Sequence, residues 1–179
     1  MTQNPWHEVE TGKNAPQIIN AIIEIPKDSK IKYEMDKKTG MLMLDRFLYS
    51  AVHYPGDYGF VPRTFWDDND PLDIIILTNY PLVPMTLAKV RPIGVLRMID
   101  NGEKDDKILA VYEDDIRAKE IQDIHDLPKH TLIELKHFFE TYKVLQGKKC
   151  EVPEILDKKH AHKDIERAIK LYKQKFKKK

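Results

Sequence analysis

Four aspartates, Asp67, Asp68, Asp70 and Asp73, fall within seven consecutive positions. Two like charges 4 Å apart repel by about 1 kcal/mol in water and about 4 kcal/mol at an effective dielectric of 20. An acidic turn ordinarily relieves this by staying solvated. Here Pro71 stiffens the segment, and the apolar run Ile74–Leu77 ties it to a strand. A second acidic loop, Asp100 to Lys107, contributes Asp100, Glu103, Asp105 and Asp106. Two carboxylate loops at strand ends make a donor set for hard divalent cations. Mg²⁺ is the natural occupant because every available ligand is oxygen. An EF-hand begun at Asp68 fails, since Leu72 and Asp73 stand where Asp or Asn and then Gly are needed. A zinc site fails too: His160 and His162 lie near Cys150 in sequence, but no fourth ligand is evident. These histidines and His125, His130 and His137 read as structural or solvent-exposed.

The elements that must hold these loops are mostly short strands. Residues 18–25 are rich in β-branched side chains and end at Pro26. Residues 31–35 and 41–48 alternate around the turn-like Asp36–Gly40, which predicts a hairpin with Lys32 and Glu34 on one face. Residues 53–66 read as irregular, with Pro55, Gly56, Gly59 and Pro62 as punctuation. Residues 74–77, 93–99 and 108–112 predict further strands. Helical spacing of Leu132, Leu135, Phe138, Phe139, Tyr142 and Leu145, and again of Ala161, Ile165, Ala168, Ile169, Tyr172 and Phe176, predicts two amphipathic helices. Gly147 supplies a stop for the first. The Lys177–Lys179 tail reads as frayed and solvated.

The chain has 179 residues, 41% hydrophobic and 33% charged, with 30 basic against 29 acidic side chains and a net charge of +1. That suits one folded domain over 1–179. A balance this even disfavours general nucleic-acid or membrane binding. The single cysteine excludes an internal disulfide and suits a reducing compartment. Residues 1–10 lack the apolar core of a signal peptide, and no run approaches the roughly 20 apolar residues of a membrane span. The expectation is a soluble cytoplasmic protein.

The run Asp68-Asn69-Asp70-Pro71-Leu72-Asp73 resembles the Asp-x-Asp-Pro-x-Asp signature of the soluble, Mg-dependent inorganic pyrophosphatases of family I, prokaryotic type. Further segments resemble the family in family order. They are Glu24-Ile25-Pro26, Lys32-Tyr33-Glu34, Asp45-Arg46, Tyr54-Pro55 through Tyr58-Gly59, Arg91 to Gly94, Asp100 with Asp105 and Lys107, and His137 to Lys143. They span about Trp6 to Tyr172. Lys104 interrupts the second acidic loop, and the region after Gly147 is only weakly similar.

The resemblance implies an α+β, mainly β fold: a five-stranded barrel of the oligonucleotide-binding type with two flanking C-terminal helices. It implies Mg-dependent hydrolysis of pyrophosphate to two orthophosphates, with several ions per site. Asp68, Asp73, Asp100 and Asp105 would bind the ions, and Asp70 would accept the proton of the attacking water. Lys32, Arg46, Tyr58, Lys107, Tyr142 and Lys143 would bind phosphate, with Glu24, Glu34 and Tyr54 in support. The chemistry is consistent: Arg46 can grip phosphate bidentately, lysines act as point charges, and phenols donate hydrogen bonds without charge. On a helix, Tyr142 and Lys143 would point about 100° apart. The resemblance also implies a homo-oligomer, hexameric for chains of this size, with no nucleic-acid or membrane partner. Two other readings compete. One is a different Mg-dependent phosphohydrolase, which the absence of a Gly-rich phosphate loop disfavours. The other is an oligonucleotide-binding barrel stacking bases on Tyr54, Tyr58, Phe60, Phe65 and Trp66.

Overall fold

The computed structural model describes residues 4–176; the Lys177–Lys179 tail lies outside the described residues. A short helical turn, α1 (Pro5–Glu8), opens it. The strands are β1 (Ile19–Ile25), β2 (Ile31–Met35), β3 (Leu42–Phe47), β4 (Asp57–Phe60), β5 (Asp73–Leu77) and β6 (Leu87–Leu96), then the two-residue pair β7 (Ile99–Asp100) and β8 (Glu103–Lys104), and β9 (Lys107–Tyr112). Helix α2 (Lys129–Thr141), β10 (Cys150–Glu151), β11 (Ile155–Asp157) and α3 (Lys158–Lys175) complete the chain.

The main sheet runs β1-β4-β5-β9-β6, and β1 pairs again with β6, closing a five-stranded barrel. β11 adds to β6 from outside the ring. Among the described residues, only β5 and β9 pair in parallel. The two faces of the wall explain why these strands read as apolar runs: both are covered. Ile75, Leu109 and Val111 pack with Leu135, Phe138 and Phe139 of α2. Their neighbours Ile74, Ile76, Ile108 and Ala110 pack with Ala161, Ile165 and Ala168 of α3. The period of two in the strands and of about 3.6 in the helices meet on these faces.

The mainly β barrel with its C-terminal helices agrees with expectation. Local differences have local reasons. Residues 53–66 contain β4, because pairing with β1 and β5 overrides the weak propensity of its Gly and Asp. Gly59 is required there: a Cβ would meet the Ile22 carbonyl of β1. β6 starts earlier than 93 and passes through Pro92 at a register shift. Helix α2 ends at Thr141, so Tyr142 and Lys143 sit at its C-cap and the start of a 3₁₀ turn, Val144–Gln146. Gly147, at φ 70°, closes that turn. Turn α1 opens on Pro5 behind its Asn4 cap, which accepts from the Trp6 amide at 3.0 Å. Among the described residues, no helix is long and apolar enough to cross a membrane.

Candidate active site

One cleft of about 170 Å³ gathers residues from several of the elements above. β1 supplies Glu24; the β2–β3 hairpin supplies Lys32, Glu34 and Arg46; Tyr54 and Tyr58 come from the next loop and β4. The first acidic loop brings Asp68 and Asp70, and Asp73 opens β5. Asp100 and Asp105 come from the second, and Tyr142 and Lys143 from the end of α2. Lys107 stands in the wall, only 1% exposed, and bonds two of these carboxylates.

The parallel register explains that bond. Asp73 and Lys107 are the first residues of β5 and β9 and lie directly opposite each other. Lys107 Nζ donates to Asp73 Oδ2 at 2.6 Å and also to Asp105. Burial by itself opposes the charge on Lys107, but Asp73 and Asp105 outweigh it and hold the ammonium above its ordinary value. Tyr58 donates its phenolic hydrogen to Asp73. Even so, burial raises Asp73. It also pushes Asp68 up to about 7, assisted by Asp73 and Asp105. Glu24 is pushed up to about 8, chiefly by burial, although its Oε1 accepts from the Met35 amide at 2.7 Å.

The first acidic loop is a built turn. Asp68 Oδ1 accepts from the Asp70 amide at 3.0 Å, and Asn69 takes a left-handed φ of 68° that asparagine tolerates. Thr64 Oγ1 accepts from the Leu72 amide at 2.9 Å. The hairpin register sets Lys32 opposite Arg46, and Lys32 reaches Asp45 at 2.9 Å and Glu34 at 3.3 Å. Lys143 pairs with Asp100, and Cys150 donates its thiol hydrogen to the same carboxylate at 3.4 Å. Burial pulls Asp100 upward, but the Lys143 bond holds it below the usual value.

All fourteen side chains expected from the sequence meet at this cleft, Lys107 through its two carboxylates. Two others were missed. Lys37, in the turn of the hairpin, pairs with Asp70, and Asp45 holds Lys32. Asp45 stood beside Arg46 in a strand segment, but nothing marked it as a partner of Lys32. Nothing local signalled Lys37, because its partner lies 33 residues away. Asp67, by contrast, turns out of the cleft toward Arg167.

Seven carboxylates line the cleft against five cationic side chains, Lys107 in its wall included. The surplus is negative; burial is the main cause of the upward pull on Asp68 and Asp73, and neighbouring carboxylates add to it. An all-oxygen, over-charged donor set fits hard divalent cations. Among the described residues, no three carboxylates converge closely enough to hold an ion as they stand. Ammonium groups span the gaps instead: Lys107 between Asp73 and Asp105, Lys143 at Asp100, Lys37 at Asp70.

The family model described as inorganic pyrophosphatase matches residues 21–173. The chain belongs to the inorganic pyrophosphatase family. It is 45% identical over 173 residues to soluble inorganic pyrophosphatase 2 of Chlamydomonas reinhardtii, covering 97% of this chain and 90% of that one. It is 48% identical over 169 residues to soluble inorganic pyrophosphatase 1 of Arabidopsis thaliana, covering 94% and 80%. Among solved structures, the inorganic pyrophosphatase of Thermus thermophilus superposes with a TM-score of 0.92 at 41% identity, covering 96% of this chain and 99% of that one. That of Helicobacter pylori gives 0.88 at 43%, covering 93% and 99%. The pyrophosphatase fold therefore extends over nearly the whole chain.

Proposed function

We propose that this pyrophosphatase-family protein is an inorganic diphosphatase, a single catalytic domain that hydrolyses pyrophosphate to two orthophosphates with Mg²⁺. The observation that carries the reading is the cleft itself: clustered carboxylates faced by phosphate-binding cations, in a chain whose family match covers residues 21–173.

Pyrophosphate is small and carries three to four negative charges, so a hydrolase must neutralise it and deprotonate water near it. When bound at Asp68, Asp73, Asp100 and Asp105, Mg²⁺ supplies that neutralisation and acidifies water. Arg46 binds phosphate oxygens through its fork, and Lys32, Lys107 and Lys143 add point charges. Tyr58 and Tyr142 stay protonated, because burial raises both phenols well above their usual value, and so they donate. Tyr54, buried and raised likewise, supports them with Glu24 and Glu34. Asp70 Oδ accepts the proton of the attacking water as its oxygen bonds to phosphorus. The bridging P–O bond breaks, and the leaving phosphate carries away its electron pair.

The base-stacking reading loses its platform. Tyr54, Tyr58, Phe60 and Trp66 are all buried, leaving no aromatic row for bases. The family resemblance further supports a cytoplasmic homohexamer. Sedimentation tests that assembly. The reaction is tested by phosphate release from pyrophosphate with Mg²⁺ and then with excess chelator. Fast, chelator-sensitive release is expected. Folded protein that releases no phosphate with Mg²⁺ would overturn the assignment.

A further inference from the structure

Each acidic loop carries a second aspartate beside a cleft-facing one, and both point away from the cleft. Asp67 precedes Asp68, and its carboxylate takes two bonds from Arg167 of α3, at 2.6 and 3.1 Å. The Arg167 guanidinium lies 4.5 Å over the Trp66 ring, which fixes its plane. Asp106 follows Asp105, and strand alternation sends it to the face opposite Lys107. It is buried; its Oδ2 accepts from Arg97 at 2.7 Å and its Oδ1 from the Met98 amide at 3.1 Å. The same Arg97 nitrogen lies 2.7 Å from Asp164 of α3. Asp164 and Arg167 are three residues apart and share one side of that helix. Both loops are therefore tethered from behind to one turn of α3. A backbone bond from the Phe65 amide to the Ala168 carbonyl, at 3.1 Å, adds to the tether.

We propose that Asp67–Arg167 and Asp106–Arg97–Asp164 form a brace that sets the spacing of the two cation-binding loops. These are positioning residues, and the proposal rests on the reading that Asp68, Asp73, Asp100 and Asp105 hold Mg²⁺. Mutual repulsion drives the cleft carboxylates apart whenever cations are scarce. Charge-assisted bonds on the far side of each loop resist that spreading, and the bidentate pair fixes orientation as well as distance. Asp67 and Asp106 thus have a use although neither faces the cleft.

Calorimetric titration of the purified protein with Mg²⁺, without pyrophosphate, tests the brace. Asp67→Asn, Arg167→Gln and Arg97→Gln should each weaken Mg²⁺ binding about tenfold, the usual scale for partners that orient metal ligands. The Asp67→Asn/Arg167→Gln double variant should cost no more than either single. Arg167→Lys should recover only part, because an ammonium cannot bond both oxygens in the same plane. Arg117→Gln, which removes a surface pair with Asp115, should change nothing. Wild-type affinity in the brace variants, or an equal loss in Arg117→Gln, overturns the proposal. A wild type that binds Mg²⁺ but releases no phosphate sinks the proposed reaction and leaves the brace standing.

Discussion

In the first acidic loop, Leu72 is fully buried, Thr64 holds its amide, and Asp68 holds that of Asp70. Trp66 and Asp70 are joined through their backbones at 2.8 Å. In the second loop, residues Asn101 to Lys104 are exposed, and Asn101 and Gly102 form the turn between two strands of two residues each. Asn101 and Gly102 there adopt φ of 49° and 91°, and a Cβ on Gly102 would meet open space. The two loops have similar charge but unequal support. Carboxylate count alone therefore does not make a rigid site; the packing behind each carboxylate does. The proposed proton acceptor, Asp70, stands on the loop that the core holds.

The sharpest way to break this comparison is at Asp70. Asp70→Asn should lower kcat about 10²- to 10⁴-fold, the range for a general base, while Mg²⁺ binding persists. Steady-state phosphate release at saturating Mg²⁺ reads it, and turnover near that of wild type would remove Asp70 from its role. Leu72→Ala should cost about 2–5 kcal/mol in urea unfolding, since its side chain fills a closed core site.

Glu24 lies outside both loops and probes burial without loop support. Its carboxyl is pushed up to about 8 in the fold, against an ordinary value of 4.5. Between these pH values the folded chain keeps a proton that the unfolded chain releases. Stability of the chelated protein should therefore fall as pH rises through this window, by on the order of 5 kcal/mol, and level off above it. Glu24→Gln should flatten the decline; an unchanged slope in that variant would assign it to other groups. The smallest effect is expected at the exposed tip, where Glu103→Ala should stay within about 0.5 kcal/mol of wild type. A cost matching that of Leu72→Ala would erase the contrast between the loops.

Much of the fold was legible along the chain. The β-branched run before Pro26 is β1, and the alternation around Asp36–Gly40 is the β2–β3 hairpin. The apolar stripes of α2 and α3 bury Leu135, Phe138 and Phe139 in one and Ala161, Ile165 and Ala168 in the other, whereas Leu145, beyond the end of α2, and Phe176, at the end of α3, are exposed. β4 was not legible, because its Gly and Asp are held in a strand by neighbours on both sides. Asp67 was indistinguishable from Asp68 by composition, yet the two carboxylates face opposite ways. The Lys37–Asp70 pair was hidden by a separation of 33 residues.

By itself, the order of residue types determined the period of the longer strands and of α2 and α3, the oxygen-only donor set and the segments shared with the family. Those are local properties, set by backbone geometry and side-chain chemistry within a few residues. Only the tertiary structure decided that Asp73 and Lys107 stand opposite each other, through a parallel pairing across 34 positions. It also decided which carboxylates lose water and bind a proton more tightly than usual, as Glu24 and Asp68 do. Charge interactions depend on distance and on the surrounding dielectric, and neither exists for residues far apart in sequence until the chain has packed.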